Sequence, residues 1–559
     1  MKDAAFSSAR LLRLYDRISD ADDAIPRLRR FVLDLAVRGK LVEQDAGDET
    51  AAELLKRIAK EKARLVKAGE IPPAKAFDLP TANDLAFPVP RHWHPVFVAT
   101  ILNELQTGPF GSSLHQSDYR LGGIPVINPA SLQNEQIVPI DKMAVDEKTL
   151  ERLASFKLRS GDIVMARRGE MGRCAIVTET EAGWLCGTGS LILRPSALIY
   201  AQFLVLVIGS PFGREYLGNS SVGATMQNLN QAILLNLAFG LPPLAEQHRI
   251  VAKVDELMAL CDRLQQARAG REALRDRLTT ASLTRLTAPE TGTDATYETF
   301  QSHARFALQS LPTLTTRSAQ IKALRQTILN LAVRGRLTFD DVTAIGEPLS
   351  SKAVENEAKP YPIHPSWKWV RMDEVVDFRG GSQPPKSTFI YKPREGYTRL
   401  VQIRDFKSDA NLTFVPTARA NRPFLETDVM IGRYGPPVFQ ILRGLAGTYN
   451  VALMKAVPEE RLLSRDFMFY VLQESRIHDE VVRESERTAG QTGVRLPLLN
   501  AFVVGLPPIA EQHRIVAKVD ALMTLCDQLE SGLTTTTTTR SRLLEALLHE
   551  ALAPAMEAA

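Results

Sequence analysis

The chain has 559 residues, with 45% hydrophobic and 24% charged side chains, a composition typical of soluble globular proteins. This length is too great for one hydrophobic core and indicates three or four domains. The net charge of +4, from 68 basic and 64 acidic residues, excludes a strong global field, so any nucleic-acid contact must come from local basic patches.

Cysteine usage and hydropathy predict a cytoplasmic protein. The four cysteines show no CxxC pairing and no metal-ligand spacing, which is typical of a reducing compartment: Cys174, Cys186, Cys261 and Cys526. The N-terminal segment lacks a secretory apolar core. The longest apolar run, residues 197–208, is too short to span a bilayer and contains Gln202.

The first repeated stretch lies near the N-terminus. Residues 25–41 read IPRLRRFVLDLAVRGKL, and residues 321–337 read IKALRQTILNLAVRGRL. In both copies, apolar residues three and four positions apart predict one face of a helix. Gly39 and Gly335 stand where a left-handed cap would end that helix, and the basic residue after each glycine places positive charge near the negative end of the helix.

Only the first half carries an additional segment after this repeat. Residues 49–70 predict an amphipathic helix, with Leu54, Leu55, Ile58 and Leu65 on its apolar face. A proline-rich linker follows over residues 71–80. The distance from the first repeat to the second is 216 residues in the first half (25 to 241) and 185 residues in the second half (321 to 506), a difference of 31. This insertion could supply most of that difference.

Two β-rich stretches, about 87–240 and 361–505, separate the repeats and predict mixed α/β domains. Both contain short apolar runs broken by Gly, Pro and Asn. The predicted strands are 126–128, 162–166 and 191–193 in the first stretch, and 400–403, 429–431 and 451–454 in the second. Shared landmarks, among them Trp93 and Trp367, indicate similar frames around divergent sequences.

Basic side chains near predicted strand ends are candidates for DNA contact. Residues 156–173 have a local charge of +3, and arginine at a strand end can bind guanine or phosphate. Solvated surface arginines are an equally good interpretation of this pattern. The candidates are Lys157, Arg159, Arg167, Arg168 and Arg173 in the first domain, and Arg404, Lys407, Arg433, Tyr434 and Arg443 in the second.

A second repeat follows each β-rich stretch. Residues 241–264 and 506–529 are identical at 20 of 24 positions and begin LPPLAEQHRIVAKVD and LPPIAEQHRIVAKVD. The prolines Pro243 and Pro508 suit the first position of a helix. Apolar residues then recur with a period of 3.5, which predicts a helix wound against the other copy or against other helices of the chain.

The regions after these helices differ in their predicted structure. The first helix is expected to continue to about residue 285, which would give a spacer of ~60 Å. Residues 287–311 are polar and predict a loop, and the six threonines of residues 534–539 are expected to weaken the last helix.

No motif in the sequence supports catalysis. Residues 380–387 resemble a phosphate-binding loop, but Pro385 replaces its last glycine, so a basic loop is the better interpretation. Residues 128–131 (NPAS) lack the second proline and the aromatic residue of the adenine methyltransferase loop. His248 and His513 occupy equivalent EQHR turns and are interpreted as surface or packing residues.

The doubled LPP(L/I)AEQHRIVAKVD and LAVRG(K/R)L motifs, alternating with variable domains, resemble the specificity (S) subunits of type I restriction–modification systems. The resemblance implies an α+β multidomain fold with a pseudo-two-fold tandem duplication, in which an antiparallel helical coiled coil separates two mixed α/β target-recognition domains. The implied division is an N-terminal helical region (1–86), the first recognition domain (87–240), a central helical spacer (241–345), the second recognition domain (346–505) and a C-terminal helical spacer (506–559).

The resemblance also implies partners and their cofactors. Each recognition domain would read one half of an asymmetric bipartite site in double-stranded DNA. Two methyltransferase subunits carrying S-adenosylmethionine, and restriction subunits using ATP and Mg²⁺, would perform the chemistry, so this chain would bind no cofactor and no metal. A DNA-modifying enzyme and a coiled-coil scaffold or regulator without such partners are the rival hypotheses.

Overall fold

The computed structural model describes residues 20–73, 80–110, 113–219, 229–287, 297–338, 359–361, 363, 366–435, 437–486 and 493–552. The chain packs into two compact units, residues 1–269 with 537–559, and residues 270–536. Each unit contains one mixed α/β domain together with helical segments, so the predicted α+β class with two such domains and long helices is confirmed. The division into five segments stays a prediction.

Helices flank both domains, and two of them are 44 residues long. In chain order they are α1 (Ala24–Val37), α2 (Ala51–Lys67), α3 (Val98–Ile101), α4 (Glu147–Arg152), α5 (Ala201–Gly209), α6 (Pro211–Asn219), α7 (Gln231–Leu235), α8 (Leu244–Thr287), α9 (Tyr297–Leu314), α10 (Ser318–Val333), α11 (Met372–Val375), α12 (Arg465–Val471), α13 (Ser475–Glu486), α14 (Leu496–Ala501) and α15 (Ile509–Leu552). None of the helices described is long and apolar enough to cross a membrane.

The strands of the first unit are β1 (His94–Phe97), β2 (Leu102–Thr107), β3 (Ile124–Ile127), β4 (Leu132–Gln133), β5 (Gln136–Ile137), β6 (Ala144–Val145), β7 (Ile163–Ala166), β8 (Cys174–Ile176), β9 (Leu185–Cys186), β10 (Ser190–Pro195) and β11 (Ala238–Leu241). Its four-stranded antiparallel sheet has the order β2-β10-β7-β8. A three-stranded sheet, β6-β3-β9, packs beside it and contains the parallel pair β3 and β9.

The strands of the second unit are β12 (Lys368–Arg371), β13 (Val376–Gly380), β14 (Tyr397–Val401), β15 (Phe414–Pro416), β16 (Pro423–Phe424), β17 (Val429–Gly432), β18 (Gln440–Leu442), β19 (Gly447–Tyr449), β20 (Leu453–Pro458) and β21 (Val503–Leu506). The sheet β13-β20-β17-β18 has the same strand order and antiparallel pairing as the larger sheet of the first unit. Thus both domains have the same main sheet, although their sequences differ.

The predicted strands agree with these elements except at their ends. Ile403 was predicted to end a strand, but it begins a short 3₁₀ turn over Ile403–Phe406, in which the Asp405 carboxylate accepts the N–H of Gln402. Val451 was predicted to begin a strand, but β20 starts at Leu453. Both differences arise where side-chain capping and turns replace the ladder, which apolar patterning alone does not show.

A tryptophan joins the two repeated motifs in each unit. A Cβ atom on Gly39 would lie 3.0 Å from the Trp93 ring, and one on Gly240 would lie 2.9 Å from it. Trp367 has the same relation to Gly335 and Gly505, at 3.0 and 3.2 Å. Each indole therefore lies between the glycine that ends the first repeated helix and the glycine just before the second.

The glycine that ends each repeated helix has the predicted left-handed conformation, with φ of +66° at Gly39 and +71° at Gly335. The basic residues that follow bind carbonyls at the ends of the long helices. Lys40 Nζ donates to the Leu552 carbonyl (3.1 Å), and Arg336 Nη1 donates to the Leu286 carbonyl (3.2 Å). The positive charge thus stabilises the negative end of a long helix.

The seam of period 3.5 is buried within each unit over its first three turns. Ile250 and Val254 share a core with Val32 and Ala36 of α1, and the equivalent residues in α15 pack with residues of α10 in the same way. Leu529, the last seam position in α15, is 42% exposed. The seam therefore contacts the neighbouring domain and repeated helix of its own unit, as one of the two predicted alternatives requires.

The predicted insertion helix is confirmed as α2. Thr50 and Glu53 form a capping box at its start, and Leu54 and Ile58 are buried in the core of the first domain. Lys62 Nζ donates to the carbonyls at the end of α3, at 2.8 and 3.1 Å. Burial lowers the pKa of Lys62 from 10.5 to about 8.

The loop predicted over residues 287–311 is wrong from residue 297 onward, because Tyr297–Leu314 form helix α9, and residues 288–296 lie outside the described residues. Ala304 and Ala307 pack against Leu283 and Leu286 of α8. The small apolar residues on this polar segment allow close helix packing, and a pattern dominated by polar residues does not reveal it.

The threonine run does not interrupt the last helix. Helix α15 continues through residues 534–539 to Leu552. The Thr534 hydroxyl donates to the Glu530 carbonyl four residues earlier (2.9 Å). This bond satisfies the polar side chain within the helix, so the low helix propensity of threonine does not decide the local structure.

Substitution of Gly39 tests the packing around Trp93. A Cβ atom at this position would lie 2.5 Å from Pro90 Cγ, whereas one at Gly69, with a similar φ of +70°, would meet nothing within 4 Å. We expect Gly69→Ala to cost about 1 kcal/mol from backbone strain alone, and Gly39→Ala to cost about 1–3 kcal/mol more. Urea unfolding of both variants measures the difference, and equal losses would contradict the packing role.

Lys62 predicts a specific pH dependence of stability. The unfolded lysine titrates near 10.5 and the folded one near 8. Between these values the unfolded state binds more protons, so the free energy of unfolding should rise with pH. Lys62→Met should remove this rise, whereas Lys56→Met, at an exposed position of the same helix, should keep it. Denaturant titrations between pH 7.5 and 10.5 measure this, and an unchanged slope in Lys62→Met would contradict the assignment.

Candidate nucleic-acid interface

Four segments of the first unit meet at one edge of its sheets. We call residues 108–110, 128–130, 167–169 and 187–189 loop edge 1; they follow strands β2, β3, β7 and β9. Backbone hydrogen bonds join them: Gly108 N–H to the Ser190 carbonyl (2.9 Å), Arg167 N–H to the Gly189 carbonyl (2.8 Å) and Gly187 N–H to the Ile127 carbonyl (2.9 Å). The edge is therefore a fixed surface built from strand ends.

The second unit has an equivalent surface. Loop edge 2 consists of residues 381–383, 402–404, 433–434 and 450–452. Its bonds are Gly381 N–H to the Leu453 carbonyl (3.1 Å), Arg433 N–H to the Ala452 carbonyl (2.8 Å) and Asn450 N–H to the Val401 carbonyl (3.2 Å). The pairs Ala166 with Ser190 and Gly432 with Leu453 make Arg433 the counterpart of Arg167.

One glycine is essential to each edge. A Cβ atom on Gly108 would lie 2.2 Å from the Gly187 carbonyl oxygen, and one on Gly381 would lie 1.9 Å from the Asn450 carbonyl oxygen. Because these neighbours are backbone atoms, they cannot give way as the end of a flexible side chain would. Only glycine allows the two segments to approach this closely.

Arg167 and Arg433 project from the ends of equivalent strands, as the sequence predicts. Arg167 Nε donates to the Leu229 carbonyl (3.3 Å). Burial and the adjacent Arg168 lower the pKa of Arg167, yet an arginine starts at about 12 or above and stays charged at neutral pH. The Arg433 guanidinium lies 5.2 Å from the centre of the Tyr434 ring, which is 37% exposed.

The other basic candidates of the first domain lie at opposite ends of strand β7. Arg168 is exposed on loop edge 1, and Arg173 lies at the end of the same hairpin. Lys157 and Arg159 are exposed but precede β7, at the opposite end of that strand. The predicted window of charge +3 is thus not one patch, because a strand of four residues separates its two parts.

The candidates of the second domain are divided in the same way. Arg404 belongs to loop edge 2, with Nε 3.8 Å from the Asp405 carboxylate, and Lys407 caps the same turn. Arg443 follows β18 and lies at the other end of the sheet from Arg433. It forms an ion pair with Asp466 (3.0 Å) and covers the Phe469 ring at 4.1 Å.

Asp162, the acidic residue directly before β7, belongs to a buried ion-pair network. Asp162 is 4% exposed and contacts Arg194 (3.2 Å), and Arg194 also contacts Glu104 (2.5 Å). Burial raises the pKa of Asp162, while the Arg159 N–H and the Arg194 guanidinium oppose that rise. These charges are satisfied within the domain and hold β7 beside β10 and β2.

Two amides of the segment that resembles a phosphate-binding loop are bonded to carbonyls of the same domain. The N–H of Gly381 donates to the Leu453 carbonyl (3.1 Å), and that of Ser382 donates to the Tyr449 carbonyl (3.2 Å). In the first domain, residues 129–131 of the NPAS segment form one 3₁₀ turn. Both segments shape the loop edges through backbone contacts.

Among the residues that the structure describes, no group of three His, Cys, Asp or Glu side chains could hold a metal ion. All four cysteines are buried and free, and burial raises the pKa of Cys174 to about 12. His248 is exposed and stacks on Tyr200, with ring centres 3.9 Å apart, as expected of a packing residue.

Phe110, Asn128 and Gln383 lie on the two edges but were not among the residues predicted to contact DNA. Asn128 and Gln383 fall in the segments 128–131 and 380–387, which were compared with enzyme motifs, whereas neither charge nor motif marks Phe110. The available signal was a glycine directly after a β-rich run, at Gly108 and at Gly381. Their equivalence depends on strand register, which the divergent sequences do not show.

Comparison with known proteins agrees with this architecture. Residues 105–269 match the family model described as the type I restriction modification DNA specificity domain. The chain is 28% identical to the type I restriction enzyme EcoEI specificity subunit of Escherichia coli and 27% identical to the EcoAI specificity subunit of the same species. Each alignment covers 94% of both chains.

A solved structure shares the fold. That structure was described in work on complex assembly and conformational transition of the type I R-M system. It has 20% sequence identity and a TM-score of 0.51, with 86% of this chain and 100% of that chain covered. The chain thus contains a match to the type I restriction modification DNA specificity domain and is similar over nearly its whole length to two specificity subunits, as the resemblance of its doubled motifs predicts.

Proposed function

We propose that this chain is the DNA-recognition subunit of a type I restriction–modification complex and is not itself an enzyme. One observation carries the proposal: the same loop edge, fixed by an essential glycine and bearing an arginine at a strand end, is built twice with different side chains. Two unlike surfaces on one frame suit two unlike half-sites in double-stranded DNA. Each domain would read one half of an asymmetric, bipartite sequence.

The chemistry of the edges supports contact with DNA. Guanidinium groups at the end of a strand can take guanine bidentately or hold a phosphate. Phosphate contacts position a protein, whereas base-edge contacts give sequence choice. The edges offer both kinds of group, since Arg168 and Arg404 are exposed while Arg167 and Arg433 are half-buried and held in place.

Other subunits would supply the reaction. We expect two methyltransferase subunits carrying S-adenosylmethionine to dock on the repeated helical frame, one for each half, and restriction subunits using ATP and Mg²⁺ to join them. The duplication provides matched docking positions. Leu260 and Leu525 occupy the same position in the two long helices and are both exposed, at 42% and 53%.

The long helices would set the gap between the half-sites. A helix of 44 residues extends about 66 Å at 1.5 Å per residue. Paired in an antiparallel coiled coil, as predicted, such helices would hold two readers at one separation. A coiled-coil DNA-binding scaffold or regulator without restriction–modification partners is the second candidate, and it predicts no sequence preference when modification subunits are added.

Substitution of the two strand-end arginines tests the interface. Arg167→Ala and Arg433→Ala should each weaken specific DNA binding of the complex with modification subunits by about 1–3 kcal/mol. Arg443→Ala is the matched control, because this arginine is already paired with Asp466 and lies at the other end of its sheet. Binding titrations at one salt concentration compare the three variants, and unchanged affinity in the first two would contradict the proposal.

Exchange of one domain tests the two-reader arrangement. Replacing residues 87–240 with the corresponding domain of a relative should change one half of the recognised sequence and leave the other half intact. Adding one helical turn to α8 after residue 264 should alter only the gap between the halves. Maps of modified bases in host DNA report both results; a change in both halves after the exchange, or an unaltered gap after the insertion, would contradict the arrangement.

A further inference from the structure

The position two residues after the essential glycine has the same setting in both domains. Gly108 and Gly381 are equivalent because each donates its N–H to the carbonyl of a residue at the same position in the sheet. Ser190 accepts in the first domain and pairs with Ala166, the last residue of β7; Leu453 accepts in the second domain and pairs with Gly432, the last residue of β17. Two residues beyond them stand Phe110 and Gln383. Their side chains differ completely in chemistry although the backbone frame is shared.

Both side chains are exposed to solvent. Phe110 is 66% exposed, which is unusual for an aromatic ring on an otherwise packed loop. Gln383 is also exposed and makes no hydrogen bond with any other residue that the structure describes. Neither side chain is used to stabilise the fold, so both are available to a bound molecule.

The backbone around Phe110 is held in place. The preceding Pro109 is buried. The Phe110 carbonyl accepts two hydrogen bonds, from the N–H groups of Ser113 (2.8 Å) and Leu114 (3.2 Å). A ring exposed on such a loop is presented to solvent at low entropic cost for binding.

The backbone around Gln383 is held by different contacts. The Ser382 N–H donates to the Tyr449 carbonyl (3.2 Å), and the Ser382 hydroxyl donates to Asn421 Oδ1 (2.7 Å). The following Pro384 is buried. Gln383 is thus presented between two anchored residues.

The distance from this position to the strand-end arginine matches a few base pairs. Strands β2 and β7 are separated by β10 alone, as β13 and β17 are by β20. Two strand spacings amount to about 10 Å, and base pairs rise by about 3.4 Å. The glycine loop and the arginine can therefore contact the same groove within about three base pairs of each other.

We propose that this shared position reads one base pair in each half-site, with Phe110 packing on the C5-methyl group of thymine and Gln383 hydrogen-bonding to adenine. The proposal rests on the proposed function and names side chains that give it sequence choice. An apolar ring has no hydrogen-bonding group for a base edge, but it can exclude water from a methyl group. The glutamine amide supplies the donor and acceptor that match N7 and N6 of adenine in the major groove.

Reciprocal substitutions test the assignment in the complex with modification subunits. Phe110→Gln should alter or relax one position in one half of the recognised sequence, and Gln383→Phe one position in the other half. The expected loss of discrimination at that position is about 5- to 150-fold. Phe110→Leu keeps an apolar contact and should keep the thymine preference.

Matched controls lie away from the edge. Phe306 is also exposed, at 60%, and Gln309 is exposed on the same helix α9. Phe306→Gln and Gln309→Phe should leave every position of the recognised sequence unchanged. Thermal melts of each variant identify any that fail to fold, and Phe110→Ala and Gln383→Ala then serve as the milder substitutions that should still relax one position each.

The modified-base map separates failure of this inference from failure of the proposed function. If both reciprocal variants modify the wild-type sequence with unchanged preference at every position, the reading position is wrong while the function stands. If either substitution relaxes both halves, the one-position assignment is wrong. If the wild-type complex itself shows no sequence preference, the proposed function fails.

Discussion

The packing of one indole ring between two glycines holds each half of this molecule together. Trp93 fills the space beside Gly39 and Gly240, and a Cβ atom at either position would come within about 3 Å of the ring. The contact joins the end of helix α1, the small sheet of β1 and β11, and the start of helix α8. Because Trp367 repeats it with Gly335 and Gly505, the geometry at the base of both domains is the same.

A buried glutamine completes this junction. Gln247 is fully buried; it accepts the N–H of Tyr200 (3.0 Å) and donates to the Pro242 carbonyl (3.0 Å). Gln512 accepts the Ser464 N–H (2.7 Å) and donates to the Pro507 carbonyl (2.9 Å). A buried amide that satisfies both of its polar ends tolerates no shift of its partners, so the AEQ motif fixes the domain to the start of the long helix.

Much of this frame could be predicted from the sequence, because duplication makes its constraints visible. The repeats predicted both long helices and both left-handed caps, and the apolar face of residues 49–70 predicted helix α2. The helix at residues 297–314 was not predicted, because alanines rather than large apolar residues form its contact face. The threonine run was expected to weaken helix α15, yet the helix continues through it, and the Thr534 hydroxyl is bonded to the Glu530 carbonyl.

The candidate site was only partly predictable. The sequence shows which residues are basic, but the register of the strands determines which of these residues lie close together. Arg167 and Lys157 are ten positions apart in a basic window, yet they lie at opposite ends of β7. Arg443 and Arg433 were both candidates for DNA contact in the sequence, but the antiparallel pairing of β17 with β18 places Arg443 at the other end of the sheet, where it forms an ion pair with Asp466. The alternation of apolar and polar residues predicts which face of the sheet a side chain lies on. Only the hydrogen-bonded pairing of the strands shows which strand ends lie next to each other.

The two motifs also determine where each long helix begins and ends. The LPP segment and its glutamine fix the first turn, and the basic residue of the LAVRG(K/R)L motif binds carbonyls of the last turn of a long helix. Both helices are 44 residues long although one carries six consecutive threonines and the other is highly charged. Since helix length follows from capped ends rather than from the sequence between them, the interior of the helices and the loop edges can diverge while the frame stays the same.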